Sequence, residues 1–326
     1  MSSMASFVLP NLRTLTVGLT AVLKSHGSTN DQVTILRRHP NIYASSFPSE
    51  IVTCRVDDGS ELRLFCKYAT GHSHGAYGHR GGVAYEAAIY RHLLQPSHAT
   101  TPAFYGAYAE ISTGATWLIL EHLDKTLRVS HTPEPAASMK VAARWIGQFH
   151  GTMKEHFSYT PVKFLNRYDA EYYLGWARRT SLYAGHWHQR FPWLATLCER
   201  FEELVVLLVT APPALIHGEY YTSNILFRNE IVYPVDWESA TIAAGEIDLA
   251  SLTEGWCTEI ARQCELEYQQ ARWPEGSPAD FERTLTAARL YLHFRWLGDR
   301  PESTAAEHHL WRFEDLRFAS EQLGLM

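Results

Sequence analysis

The sequence has no apolar run of the roughly 18–20 residues that a bilayer-spanning helix requires, so no membrane partner is expected. It also lacks a basic stripe, because 29 Lys and Arg are interspersed with 35 Asp and Glu, for a net charge of −6. This distribution is poorly suited to a phosphate backbone and counts against nucleic acid as the main partner. The segment before Pro10 has no basic start followed by a long apolar stretch, which predicts no signal peptide.

Cysteine is scarce, with five scattered residues and no CxxC pair. An odd number of isolated cysteines predicts a cytoplasmic protein with reduced thiols. HExxH and HxxEH pairs are absent as well, which counts against a metal hydrolase built on histidines. The 326 residues, 46% of them hydrophobic and 20% charged, are typical of a globular protein with more than one domain. The oligomeric state stays open.

The hydrophobic pattern of the first third of the chain predicts strands. A helical spacing over Leu12–Leu23 comes first, and a second helical pattern covers Gly82–Leu94. The turn sequence Asp57–Ser60 predicts a hairpin. Segments rich in β-branched and aromatic residues predict five strands, at Val33–Arg38, Glu50–Val56, Glu61–Tyr68, Phe104–Glu110 and Thr116–Leu123.

From about residue 134 the pattern becomes helical. Six helices are predicted, at Ala136–His150, Tyr168–Tyr183, Pro192–Val209, Ile247–Cys264, Asp280–Leu297 and Ala305–Leu323. Only Leu215–Trp237 interrupts them, with apolar runs and turns. The chain is therefore predicted to be an α+β protein with a small β-rich lobe at residues 1–123 and a larger helical lobe at 124–326.

The strongest chemical signal is the segment His217–Asn224, HGEYYTSN, followed by Asp236 within VDWE. Phosphoryl transfer needs a carboxylate that orients the acceptor hydroxyl and takes its proton. It also needs oxygen ligands for Mg²⁺, and an amide and a second carboxylate are suitable. A lone acidic residue is more often merely solvated, but this ordered combination favours a catalytic site.

These motifs resemble the aminoglycoside phosphotransferase and choline kinase family, whose loops read H-G-D-x-x-x-x-N and (I/V)-D-(W/F)-E. The resemblance implies a two-lobed, protein-kinase-like fold with an antiparallel N-terminal sheet, and transfer of the ATP γ-phosphoryl group to a small-molecule acceptor. It implies three catalytic residues, Glu219 as the base, and Asn224 and Asp236, which also bind Mg²⁺. By the same resemblance, Asp248 braces the catalytic loop, and His150 is structural.

Glu219 departs from the family pattern, which usually has Asp at this position. The added methylene changes the reach of the carboxylate, and a misplaced catalytic group can cost roughly 100-fold in rate. Three interpretations follow from this difference: the pocket is adjusted for Glu, the acceptor lies farther away, or the protein is a weakened or inactive kinase. We favour activity, because the neighbouring motif residues are present.

In the N-terminal lobe, Lys67 and Glu86 resemble the kinase lysine–glutamate pair that positions the nucleotide phosphates. The strand ending at Leu123 resembles the one that leads into the hinge, where Glu121 and Leu123 are predicted to contact adenine through their main chain. Ser45 and Ser46 lie where the family places its phosphate-covering loop, although this segment has no glycine and an ordinary turn is about equally expected.

The glycine- and histidine-rich run Gly71–Gly82 follows the Lys67 strand instead of preceding it. It is interpreted as a connection into the Glu86 helix, and its histidines give at most a weak metal site. Aromatic residues near the motifs are candidates for the acceptor wall, although core packing is at least as expected for each of them. They are Tyr220, Tyr221 and Trp237, with Glu238 beside them, and more distantly Tyr168–Tyr173, Trp256–Glu259 and Trp273.

Two alternatives stay open. The first is a nucleotide-binding pseudokinase that acts through protein contacts. The second is a kinase that phosphorylates a protein, against which the absence of Arg after His217 and the short segment after Asp236 both count.

Overall fold

The computed structural model describes residues 9–42, 47–69, 77–159 and 162–326, without the side chains of 154–159, 303 and 305. The chain forms two compact units. The first comprises Met1–Thr126 and Tyr233–Ser239, and the second comprises Leu127–Val232 and Ala240–Met326. The short segment Tyr233–Ser239 therefore places the predicted metal-binding Asp236 in the first unit.

The first unit is built on a five-stranded antiparallel sheet with the order β1-β2-β3-β5-β4. Its elements are α1 (Leu12–His26), β1 (Thr34–Pro40), β2 (Ser49–Arg55), β3 (Glu61–Tyr68), α2 (Gly82–Ile89), β4 (Phe104–Ala109) and β5 (Thr116–Glu121). One π-helical turn, Tyr90–Leu94, continues α2. The five strands lie where the sequence predicts them, to within two residues at each end.

Local chemistry sets the boundaries of these elements. The Asn11 side chain accepts a hydrogen bond from Thr14 N at 2.9 Å and caps α1, and Gly27 ends the helix with a φ of +83°. In the β2–β3 hairpin, Asp58 accepts a hydrogen bond from Ser60 N at 2.8 Å. The buried face of α1 packs on the sheet core through residues such as Leu19.

The second unit is mainly helical. Its elements are β6 (Leu127–Arg128), α3 (Pro135–Tyr159), α4 (Ala170–Tyr183), α5 (Leu194–Arg200), α6 (Glu202–Thr210), β7 (Pro213–Ile216), β8 (Ile225–Arg228), β9 (Ile231–Pro234, whose last two residues belong to the first unit), β10 (Thr241–Ala244), α7 (Glu246–Thr253), α8 (Thr258–Arg272), α9 (Phe281–Asp299), α10 (Pro301–Ala305) and α11 (Leu310–Gln322). Strand β7 pairs antiparallel with β10, and β6 with β8. Helix α9 is the centre of the unit and packs against α4, α6, α7, α10 and α11.

Three segments that were predicted as single helices are interrupted. The segment Pro192–Val209 divides into α5 and α6, Ile247–Cys264 into α7 and α8, and Ala305–Leu323 contains only α11 as a long helix. Between α7 and α8, Gly255 has a φ of +77°, a left-handed conformation that ends a helix. An apolar spacing can continue across such a break, so the sequence pattern alone does not reveal it. Strand β10 was not predicted either.

Among the described residues, no helix combines the length and apolarity that crossing a membrane would require. The five cysteines are free thiols, and only Cys257 is exposed.

Gly18 offers a test of the packing between α1 and the sheet. A Cβ atom there would lie 2.4 Å from Cζ3 of the buried Trp117 side chain. Gly18→Ala should therefore destabilise the protein by about 1–3 kcal/mol through overpacking, although Ala favours a free helix over Gly by about 1 kcal/mol. Urea unfolding followed by tryptophan fluorescence measures the change.

The matched control is Gly185→Ala, since a Cβ atom at Gly185 meets no described atom within 4 Å. Its stability should stay within about 0.5 kcal/mol of the unmodified protein. A Gly18→Ala variant as stable as this control would contradict the packing of α1 described above.

Candidate active site

A buried lysine surrounded by three carboxylates forms the main polar cluster of the first unit. From the end of β3, Lys67 Nζ lies 2.7 Å from Glu86 Oε2, 2.5 Å from Asp236 Oδ1 and 3.2 Å from Glu238 Oε2. Burial alone would lower the pKa of Lys67, but the three acids together raise it well above its usual value. Lys67 is therefore a permanent cation at this site.

Glu86 and Glu238 also hold backbone groups. Glu86, on α2, accepts a hydrogen bond from Trp237 N at 3.1 Å through its second oxygen, Oε1. The carbonyl of Glu238 accepts a hydrogen bond from Gly81 N at 2.8 Å, just before α2. The lysine strand, α2 and the segment Tyr233–Ser239 are thus joined within one hydrogen-bonded group, which includes the predicted pair Lys67 and Glu86.

Asp236 differs from the other two acids of the cluster in two ways. Its side chain is 33% exposed, whereas those of Glu86 and Glu238 are 2% and 1% exposed. Its φ is +71°, which a residue other than glycine rarely adopts and which often marks a functional position. Asp236 is therefore the acid of this cluster that a ligand can reach.

Asp236, one of the two predicted magnesium ligands, offers the type of donor atom that Mg²⁺ binds. Mg²⁺ prefers oxygen ligands from one or two carboxylates, with phosphate oxygens and water completing its coordination. One oxygen each from Glu86, Asp236 and Glu238 lies within 4.8 Å of the others, and burial raises the pKa of Glu238 to about 7. In this group Asp236 offers the accessible carboxylate.

The remaining nucleotide-site predictions have different outcomes. Ser45 and Ser46 lie outside the described residues, as does the segment 70–76 of the glycine-rich run. Of the predicted hinge residues, Glu121 ends β5 and its N–H donates to Ala103 O at 2.8 Å, while the carbonyl of Leu123 accepts from Thr126 Oγ1 at 3.2 Å. The adenine contacts of Glu121 and Leu123 stay predictions.

In the second unit, Asp248 supports the loop that follows β7. Its carboxylate accepts hydrogen bonds from His217 N at 2.6 Å and Gly218 N at 2.9 Å. His150 Nε2 lies 3.2 Å from the same carboxylate, and His150 Nδ1 lies 3.0 Å from the Tyr268 hydroxyl. These buried contacts are those expected of a brace, so Asp248 fixes the backbone that precedes Glu219.

The same loop brings Glu219 and Asn224 together. Asn224 Nδ2 donates to the carbonyl of Glu219 at 3.0 Å, which keeps the amide oxygen of Asn224 available as a metal ligand. Asn224 is half-buried, and the Glu219 side chain is 9% exposed. This hydrogen bond links the two residues within one short loop, and their catalytic roles stay predictions.

Sequence reasoning missed the residue that contacts the Glu219 carboxylate. Arg295 Nη1, on α9, lies 3.4 Å from Glu219 Oε1. No motif marks this arginine, and 76 positions separate it from Glu219. It also missed that Glu238 belongs to the Lys67 cluster.

Most aromatic candidates for the acceptor wall are packed in the core or covered by arginines. Tyr220, Trp237 and Tyr173 are fully buried. Tyr172 stacks on Tyr168 with ring centroids 3.7 Å apart. The guanidinium groups of two arginines lie over two further candidates: Arg295 5.7 Å from the centre of the Tyr221 ring and Arg272 4.3 Å from that of the Trp273 ring.

Comparisons with known proteins identify the family and the fold of the chain. The sequence profile of the phosphotransferase enzyme family matches residues 63–311. No curated protein sequence matches the chain.

Solved structures with the protein-kinase-like fold superpose on nearly the whole chain, which confirms the predicted fold. A choline kinase from Cryptosporidium parvum Iowa II has a TM-score of 0.60 at 13% identity, covering 94% of this chain and 97% of the other. Spectinomycin phosphotransferase in complex with ADP and spectinomycin has a TM-score of 0.55 at 14% identity, with 92% of each chain covered. A putative fructosamine-3-kinase from Haemophilus somnus 129PT has a TM-score of 0.56 at 12% identity, with 93% and 97% covered.

Asp248→Asn tests the brace of the catalytic loop. Asn is neutral and has only one acceptor oxygen, so the N–H groups of His217 and Gly218 both lose a charged acceptor, and the one that faces the amide nitrogen loses its hydrogen bond. We expect a loss of about 1–3 kcal/mol in the free energy of unfolding, measured by urea titration.

Glu282→Gln on the exposed face of α9 is the control, since it makes the same chemical change at the surface. It should alter stability by less than about 0.5 kcal/mol. Equal free energies of unfolding for the two variants would show that the Asp248 carboxylate does not stabilise the loop.

Proposed function

Because this chain belongs to the phosphotransferase enzyme family, we propose that it transfers the γ-phosphoryl group of ATP to a hydroxyl group of a small molecule. The observation that carries the proposal is the buried Lys67 cluster. Lys67 is held by Glu86 at 2.7 Å and by Asp236 at 2.5 Å. Kinases use such a lysine–glutamate pair, next to a metal-binding aspartate, to position nucleotide phosphates.

Each residue of the site has a role in this reaction. Lys67, oriented by Glu86, holds the phosphates, while Asp236 and Asn224 are the ligands for Mg²⁺. When bound, the ion neutralises charge on the phosphate oxygens. Glu219 orients the acceptor hydroxyl and takes its proton as the oxygen forms its bond to the γ-phosphorus and the bond to the ADP oxygen breaks.

The small-molecule acceptor is proposed on the similarity to other kinases. The names of the similar structures refer to choline, spectinomycin and fructosamine, three small molecules, and one of these structures holds ADP. The predicted site residues differ from a protein kinase in lacking Arg after His217. Amino alcohols, aminoglycosides, other antibiotics, sugars and nucleosides therefore form the acceptor panel, each tested with ATP and with GTP.

The test of the proposal is ADP formation with this panel in the presence of Mg²⁺, for the unmodified protein and for Asp236→Asn. Losing the charge of one ligand should reduce kcat by about 100-fold or more, because transition-state electrostatics supply much of the rate enhancement. Chelation of Mg²⁺ should have a similar effect.

Asp58→Asn is the matched control. Asp58 lies in the exposed β2–β3 turn, and Asn can accept the same hydrogen bond from Ser60 N. Its kcat should be unchanged. If Asp236→Asn turns over the acceptor as fast as this control, the assignment of Asp236 is wrong; Mg²⁺-dependent ATP binding without turnover of any acceptor would instead identify a pseudokinase.

A further inference from the structure

Arg295 is a charged residue among the buried positions of α9. It lies on α9, of whose residues thirteen are buried, and it is 5% exposed. Burying a guanidinium costs several kcal/mol unless it is paired and hydrogen-bonded. The acid it contacts is Glu219, through Nη1 and Oε1 at 3.4 Å. A leucine or methionine would fill the same helix position without this cost, so packing alone does not account for the arginine.

Aromatic residues fix the guanidinium in place. Its carbon lies 5.7 Å from the centre of the Tyr221 ring and 5.8 Å from that of the Trp296 ring. Nη2 of Arg295 donates to the Tyr221 hydroxyl, which also accepts a hydrogen bond from Trp296 Nε1 at 3.0 Å. Burial raises the pKa of Tyr221 to about 12, so the hydroxyl stays protonated and neutral. Arg295 thus presents Nη1 to Glu219 from a fixed position.

Glu219 needs such a partner more than an aspartate would. Its carboxylate stands one methylene farther from the backbone and has one more rotatable bond, so more orientations are open to it. The braces at Asp248 and Asn224 act on the backbone of the loop. The planar arginine fork acts instead on the end of the Glu219 side chain, where the reacting oxygens lie.

We propose that Arg295 is a positioning residue for Glu219, which holds the longer carboxylate in the orientation that the acceptor hydroxyl requires. The proposal rests on the phosphotransferase function given above. An arginine beside a general base weakens its basicity, yet the transition state of phosphoryl transfer is loose and depends mainly on positioning and electrostatics. Orientation is therefore worth more to this reaction than basicity.

The experiment compares Arg295→Met, Arg295→Lys, Glu219→Gln and the double variant Arg295→Met/Glu219→Gln. ADP formation from Mg·ATP is measured with the best acceptor of the panel and with water as the only acceptor. Both kcat and the KM for Mg·ATP are determined, and urea titration confirms that each variant is folded. Arg289→Met is the control, because Arg289 lies on the same helix and its partner is Glu265, at 2.6 Å.

Arg295→Met should lower kcat by about 10- to 100-fold while the KM for Mg·ATP changes by less than about 2-fold. Arg295→Lys should recover part of the loss, since it keeps the charge without the fork. The double variant should be no slower than Glu219→Gln by more than about 2-fold, because both substitutions disable the same group. Arg289→Met should keep the kcat of the unmodified protein.

Several other outcomes would contradict the proposed role of Arg295. If both Arg295 variants are folded and keep the full kcat, or if the double variant multiplies the two single losses, Arg295 does not position Glu219. A parallel rise in the KM for Mg·ATP would mean that Arg295 acts on the nucleotide, which also overturns the proposal. If Arg295→Met does not fold, Arg295→Lys decides by the same criteria. An unmodified protein that binds Mg·ATP without forming ADP overturns the phosphotransferase function itself, and this inference with it.

Discussion

The pairing of the Lys67 charge is the constraint on which the first unit depends. An ammonium group that is almost removed from water must be matched by acids, and Glu86, Asp236 and Glu238 surround it at 2.5–3.2 Å. The Glu86 carboxylate also accepts a hydrogen bond from Trp237 N, and the backbone carbonyl of Glu238 accepts one from Gly81 N. Together with the charge pairing, these hydrogen bonds fix α2 to the segment Tyr233–Ser239. Burial raises the pKa of Glu238, and the nearby carboxylates of Asp236 and Glu86 raise it further, while Lys67 opposes the shift.

In the second unit, hydrogen bonds hold the backbone of the loop after β7 and the side chain of Glu219 in one orientation. Asp248 binds the N–H groups of His217 and Gly218, and Asn224 binds the carbonyl of Glu219. The aromatic residues close to this loop contribute to the same support, since Tyr221 holds Arg295 and Tyr220 donates to the carbonyl of Ala142 from the core. Core packing and support of the loop, and not an acceptor wall, therefore account for Tyr220 and Tyr221.

Features that depend on residues close together in the sequence could be predicted, whereas contacts between distant residues could not. Strand β3 and the hairpin before it depend on alternation and on Asp58 and Gly59, which are local signals, and they lie where predicted. The motif spacing around Asn224 and Asp236 is visible in the sequence because the two loops are short, and the roles of these residues stay predictions. Breaks such as that at Gly255 depend on one residue within a continuing apolar pattern. The contact of Arg295 with Glu219 joins residues 76 positions apart, and no local pattern of one sequence encodes such a pair.

The buried pair of Glu219 and Arg295 also bears on the choice between an enzyme and a protein that only binds nucleotide. In the proposed function, nucleotide binding depends on the Lys67 cluster of the first unit and, through Mg²⁺, on Asn224. It gives no reason to bury a carboxylate and a guanidinium in the second unit, where desolvation is costly and apolar residues would pack as well. A fixed orientation of Glu219 becomes useful when an acceptor hydroxyl must be aligned. The cost of burying Arg295 therefore supports the role that we propose for Glu219 in the transfer reaction.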